Sequence, residues 1–300
     1  LTIKRLSLVV LFGYFLLSIP GSYAKETTDE LRKAIPLTVQ LNDDIQFSLI
    51  DKDHLKVVSL NMAHGRKDAF NQMLVSKETI EKNLDDIAAM LRKEKADVVA
   101  LQEADAPSWW SGDFNHVEYL AKKAGYHFFI QAAHVDKFFG TYGTAIMSRL
   151  PIREAFAVSF HPTPPSTQKG FVTGKVGWDC RPEDKECLEI DIYSVHLDFL
   201  RHAKRNEQIR MLGLMLEKRQ RKSVIMGDFN SEWLSSEKVI KFLTESGRYK
   251  LFEPHSEQYD TYDDKRLDWV IISRDLNFIS YKVSKELLSD HQAVIAEIGF

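Results

Sequence analysis

Cysteine, proline and glycine are all scarce: two, nine and fourteen positions in 300 residues. Nothing in that supply allows a long low-complexity linker, and no segment repeats at a fixed period. Charge of one sign is missing too. Forty basic against 43 acidic residues leave a formal charge of −3, which argues against a broad nucleic-acid-binding face. A metal and a few basic side chains can still hold a phosphodiester locally. Beyond the first segment no apolar run approaches the ~20 residues of a membrane span. What remains, 44% hydrophobic and 28% charged, is ordinary globular composition for one large α/β domain or two smaller ones.

The first segment reads as a removable leader. Lys4 and Arg5 precede an apolar run from Leu6 to Leu17, then Pro20 and the small residues Ser22 and Ala24. A charged start, a short apolar centre and a small-x-small site predict export, periplasmic or secreted, with cleavage after Ala24. Loss of residues 1–24 removes two positive charges and no acid, giving a mature charge of −5. Residues 25–54 read as an extended lead-in. Cys180 and Cys187 flank a charged RPEDKE segment. In an oxidising compartment the pair is expected to close a small structural loop, against the alternative of two free thiols.

Strand-helix-strand patterns recur in each half. LKVVSLN (55–61) and DVVALQE (97–103) read as buried strands around a helix over 76–96, whose apolar positions are Ile80, Leu84, Ile87, Ala88 and Leu91. A short helix over 115–125 ends on Gly125. Strands are expected at 126–132, 143–148, 152–160, 170–178 and 188–197, then a long helix over 202–222, a strand at SVIMGD and a helix over 235–247. Three strands close the chain at 268–273, 278–284 and 293–298. The pattern predicts two sheets with helices outside.

Polar residues stand at the strand ends: Asn61, Glu103, His196, Asp228 with Asn230, Asp268, and Asp290-His291 before the last strand. In VIMGDFNSEW (224–233), Asp228 and Asn230 are two apart and would share one side of an extended chain, although Gly, Asp and Asn also make turns. Singly each residue reads as a cap or a turn. Together they are carboxylates, carboxamides and imidazoles on strand ends that converge on one rim, where α/β sites are built.

The ordered set SLN, LQE, SVHLDF, GDFN, LDWV and SDHQAV resembles the endonuclease/exonuclease/phosphatase superfamily over residues 55–300. The resemblance implies a single α/β domain, a four-layer α-β-β-α sandwich of two packed mixed sheets, and metal-assisted hydrolysis of a phosphate ester. It implies Mg²⁺, with Mn²⁺ as a substitute, held by Glu103 with Asn61 and Asp290, because hard oxygen ligands suit that ion. It makes His291 the general base oriented by Asp268. Asp228 and Asn230 would orient the nucleophile and hold the phosphate, and His196 would contact a phosphate oxygen or protonate the leaving group. A histidine at 196 is unlike the AP endonuclease branch. IMGDFN and RLDWV lack the tryptophan and cysteine of the inositol 5-phosphatase branch. The expected substrate is a phosphodiester, nucleic acid before phospholipid or another small phosphoester, with no protein partner and a monomeric chain.

Four further residues are candidates for substrate contact. Tyr142 lies where the superfamily places a phosphate-binding tyrosine. Trp109 and Trp110 either cap the core or stack on a base or headgroup. Arg205, one helical turn from Gln208, either contacts substrate, braces the site or is solvated. The cationic run Lys218, Arg219, Arg221 and Lys222 suits a helix C-terminus.

Overall fold

The computed structural model describes residues 34–45, 53–178, 188–236 and 238–300. The expected leader and the Cys180–Cys187 pair lie outside them. The strands are β1 (Ile35–Pro36), β2 (Gln40–Leu41), β3 (His54–Asn61), β4 (Val98–Asp105), β5 (Phe128–Lys137), β6 (Gly140–Ser148) and β7 (Ile152–Ser159). They continue as β8 (Gly170–Trp178), β9 (Leu188–His196), β10 (Ser223–Asp228), β11 (Tyr249–Leu251), β12 (Asp268–Ser273), β13 (Asn277–Val283) and β14 (Val294–Gly299). The helices are α1 (Lys77–Glu94), α2 (His116–Ala124), α3 (His202–Arg219) and α4 (Val239–Glu245).

Two seven-stranded mixed sheets pack face to face within one compact unit, residues 34–300. The first runs β1-β7-β8-β9-β10-β12-β11 and the second β13-β14-β3-β4-β6-β5-β2. Each holds one parallel pair, β9 with β10 and β3 with β4, because each is a β-α-β crossover, through α3 and α1. Parallel neighbours end on the same edge. Asn61 stands opposite Gln102, and His196 opposite Asp228.

Alternation explains both the core and the site. Leu55 and Val57, Val98 and Ala100, Ile190 and Ile192, Val224 and Met226, Val270 and Ile272 all point between the sheets into one apolar cluster. The same stripes, continued by two or four residues, carry Asn61, Gln102, His196, Asp228 and Asp268. The site is therefore the polar end of the core. The opposite stripe of the second sheet, with Val58, Leu60, Val99 and Leu101, packs on Ile80, Leu84, Ile87 and Leu91 of α1 and on Val117 and Leu120 of α2. Ser76 caps α1 and Asn115 caps α2, each through its side-chain oxygen.

Several boundaries differ from expectation. α3 stops at Arg219 because Gln220 takes a left-handed φ of 50°, a stop with no glycine to announce it. α4 begins only at Val239, after Lys238 at φ 56°. β5 reaches Lys137 across a bulge between Ala133 and Val135 that breaks its alternation. β11 was not expected. Within the lead-in, β1 pairs with β7 and β2 with β5, so it is stitched to an edge of each sheet. No helix among the described residues is long and apolar enough to cross a membrane.

Candidate active site

Asp228 ends its strand at a turn. Gly227 has φ 145°, and a Cβ there would sit 1.9 Å from the Val195 carbonyl oxygen, so only glycine lets β10 approach β9 so closely. The chain then leaves the extended form. Asn230 lies at φ 49°, and its backbone N–H donates to Asp228 Oδ1 at 2.9 Å. The stretch is thus an Asx turn as well as part of the site. Asn230 does not share its side of the chain with Asp228 by extension, as alternation suggested. The turn places it, and its Nδ2 donates to the Leu197 carbonyl at 3.1 Å.

The other Asp228 oxygen faces across the sheets. Oδ2 accepts from Asn61 Nδ2 at 3.1 Å and lies 3.4 Å from His196 Nε2 and 3.9 Å from His291 Nε2. His291 Nδ1 lies 2.7 Å from Asp268 Oδ2, which also accepts from Thr261 Oγ1 at 2.7 Å. Thr261 fixes the aspartate, and the aspartate fixes the imidazole. Burial and the neighbouring Asp268 push the Asp228 carboxyl up to about 7, while the two aspartates raise His291 to about 10 against its burial. Burial and nearby Lys169 hold His196 well below its ordinary value, so it is neutral.

Glu103 arrives by a different device. Gln102 points between the sheets, where its Nε2 donates to Ser194 Oγ at 3.0 Å, so strict alternation would turn Glu103 toward α1. A bulge between Leu101 and Ala104, with Glu103 at φ 48°, turns it back to the edge. There its oxygens lie 3.4 Å from His64 Nε2 and 3.5 Å from Lys169 Nζ. In spite of burial, the charges of His64, Lys169 and His291 hold it well below the usual carboxylate range. His64 is held from behind: its Nδ1 lies 2.7 Å from Asp105 Oδ1, and Asp105 Oδ2 accepts from Trp110 Nε1 at 2.9 Å.

The remaining candidates are placed as follows. Tyr142 packs edge-on against His64, with ring centroids 4.6 Å apart, and stacks on Trp110 at 5.6 Å. Trp110 is therefore committed to the Asp105–His64 brace, and Trp109 is 57% exposed, its Nε1 donating to the Phe138 carbonyl at 3.0 Å. Arg205 is buried and donates to the Asp198 carbonyl at 2.8 Å, while Gln208 Oε1 accepts from the Asp198 N–H at 2.8 Å. Both brace the turn after His196, in line with the bracing alternative for Arg205. Asp290 pairs with Arg66. Arg219 pairs with buried Asp191, a structural role. His64, Lys169, Asp105 and Thr261 were not anticipated; only the position of His64 just after a strand end offered a signal.

A divalent cation suits this chemistry. Asp268 Oδ1 is buried with no hydrogen-bond partner among the described residues, and ligating atoms of Asp228, Asp268 and His291 lie within 4.8 Å of one another. Of the ligands expected from sequence, Glu103 offers an ionised carboxylate at the same edge. Asn61 Oδ1 already accepts from the Ala63 N–H at 3.0 Å.

The comparisons with known proteins agree with this fold. The model of the Endonuclease/Exonuclease/phosphatase family matches residues 58–291. No curated protein matches. Among solved structures, the chain is similar to an endonuclease/exonuclease/phosphatase family protein from Leptotrichia buccalis C-1013-b, at 19% identity over 82% of this chain and 100% of that one, TM-score 0.60. It is similar to the mannosyl-6-phosphatase of Bacteroides thetaiotaomicron VPI-5482, at 16% identity over 82% of this chain and 100% of that one, TM-score 0.63. It is also similar to sphingomyelinase C from Streptomyces griseocarneus, at 17% identity over 82% and 99%, TM-score 0.57. Such identities establish the fold alone.

Proposed function

We infer the function from one premise already shown: the chain belongs to the endonuclease/exonuclease/phosphatase family, whose members are phosphoester hydrolases. The reading is an exported, Mg²⁺-dependent phosphodiesterase. The observation that carries it is the Asp228–His291–Asp268 cluster facing an ionised Glu103 at one edge of the two sheets. His291, oriented at Nδ1 by Asp268, takes the proton of the attacking water at Nε2. Asp228, 3.9 Å from that nitrogen, orients the water. Asn61 and Asn230 hold phosphate oxygens, and His196, neutral and beside Asp228, contacts the phosphate or the departing oxygen. Bound by Glu103 and its neighbours, Mg²⁺ would neutralise phosphoryl charge and weaken the hold of the aspartates on the His291 proton.

The mouth of the site bears on the substrate. Loops at this edge carry Phe70 (100% exposed), Phe138 (90%), Leu74 (83%) and Leu234 (72%), together with Met73, Trp109, Phe199 and Leu200. The aromatic rings can stack on bases, which supports nucleic acid as the first reading. The aliphatic side chains cannot stack, and their exposure favours a second reading, a phospholipid at an interface. The test is hydrolysis by the purified chain, with and without EDTA, of plasmid DNA, RNA, sphingomyelin, phosphoinositides and bis-p-nitrophenyl phosphate. Mg²⁺-dependent cleavage of the diesters is expected. No hydrolysis of any of them would overturn the reading, and cleavage of lipid without nucleic acid would install the second.

A further inference from the structure

We propose that Lys169 is a catalytic residue whose ammonium binds a non-bridging oxygen of the scissile phosphoryl group; this rests on the phosphoesterase reading. A phosphoryl group spreads its negative charge over its equatorial oxygens, and cationic donors aimed at those oxygens lower the barrier. The other cations around the site are already committed. Arg66 pairs with Asp290 and donates to the Ala69 carbonyl at 2.6 Å. Arg205 is turned under the Asp198 turn. His64 is held by Asp105, and His291 by Asp268.

Lys169 differs from all of these. Its neighbour Gly170 pairs with His196, so the side chain springs from the strand beside a site histidine. Its backbone is pinned, since the Phe160 N–H donates to the Lys169 carbonyl at 2.9 Å. The residue is 4% exposed. Its Nζ lies 3.5 Å from Glu103 Oε1, well beyond the ~2.7–2.9 Å of a charge-assisted hydrogen bond. Among the described residues no hydrogen bond ends on that nitrogen. An ammonium has three donors, and among the described residues only the Glu103 carboxylate comes within ion-pair reach of them. The Phe199 ring, 5.9 Å away, flanks it. Its charge reaches His64, Glu103 and His196. A pinned ammonium with free donors, amid the groups that would surround a phosphate, is what an anionic oxygen would complete.

Two variants test this, Lys169→Gln and Lys169→Arg, with melting temperature as the control for folding. Calorimetric titration of the Mg²⁺-supplemented protein with inorganic phosphate should show affinity at least tenfold weaker in Lys169→Gln and within a few-fold of wild type in Lys169→Arg. On bis-p-nitrophenyl phosphate, kcat/KM of Lys169→Gln should fall roughly 10²–10³-fold, as for loss of one oxyanion donor, with both kcat and KM affected. The rival role is a mere counter-charge to Glu103. In that case Lys169→Gln would change Mn²⁺ affinity and leave phosphate affinity unaltered, which overturns the proposal. So would a Lys169→Arg protein of native melting temperature that loses as much phosphate affinity as Lys169→Gln. An active wild type with unaffected variants rejects Lys169 alone, whereas a wild type that hydrolyses no phosphoester rejects the functional reading itself.

Discussion

The β3-α1-β4 and β9-α3-β10 units are the same device used twice, one in each sheet, and they end on opposite electrostatics. The first delivers Glu103 between His64 and Lys169, which help keep the carboxylate charged. The second delivers Asp228, buried next to the Asp268 carboxylate, where its carboxyl is pushed up to about 7, with His291 between them. Two like crossovers, the first with a bulge that turns Glu103 to the edge, thus produce one acid suited to a metal ion and another suited to proton handling. Carboxylates pushed in opposite directions by their surroundings mark a division of roles. Here the surroundings come from elements outside either unit: the turn before β8 supplies Lys169, and the loop before β14 supplies His291.

The largest expected effect comes from breaking the proton-handling side. His291→Ala should lower kcat/KM on bis-p-nitrophenyl phosphate by about 10²–10⁴-fold, the usual contribution of a general acid–base group. Asp268→Asn should cost less, because the imidazole stays but loses its anchor. Loss of no more than a few-fold in His291→Ala would remove the histidine from the chemistry.

Breaking the charged side comes next. Glu103→Gln keeps the shape and removes the charge, so activity should fall steeply at low Mg²⁺ and partly recover at high Mg²⁺. A Mg²⁺ titration identical to that of wild type would show that Glu103 is no ligand. One step further out, Asp105→Asn weakens the hold on His64 behind Glu103. Supporting residues of this kind typically alter metal affinity ~10-fold or more, and Mn²⁺ titration followed by calorimetry reads the change directly.

The smallest effect sharpens the comparison through pH. His291 is raised to about 10, so the folded chain holds a proton that the unfolded chain releases. That stability is fully present below the ordinary histidine value of 6.5 and is lost as pH rises through about 10. Without added metal, the melting temperature should fall by a few degrees between pH 7 and 10, and His291→Asn should flatten that slope. A slope equal in both proteins would place the stabilising proton elsewhere.

Much of this was legible in the residues. Alternating apolar runs with capped helical stretches between them specify two sheets and their helices, because burial on one face imposes its period on the sequence. The polar strand ends Asn61, Glu103, His196, Asp228, Asp268 and His291 are visible as departures from those runs. Three things were not. Glu103 faces the site only through a bulge, and a bulge leaves no mark in the alternation it breaks. The sequence left Arg205 open between substrate contact, bracing and solvation, and only the fold shows it donating to the Asp198 turn. His64, Lys169, Asp105 and Thr261 lie far apart in sequence and acquire meaning only where the strands bring them together.

The sequence by itself determined which apolar stripes are buried, most of the elements and which chemical groups stand at the strand ends, since these depend on local period and composition. Tertiary structure alone decided which carboxyl is held down and which is pushed up. That difference is a matter of burial and of charges within a few ångströms, and neighbours such as Lys169 beside Glu103 and Asp268 beside Asp228 are 66 and 40 positions apart in the chain.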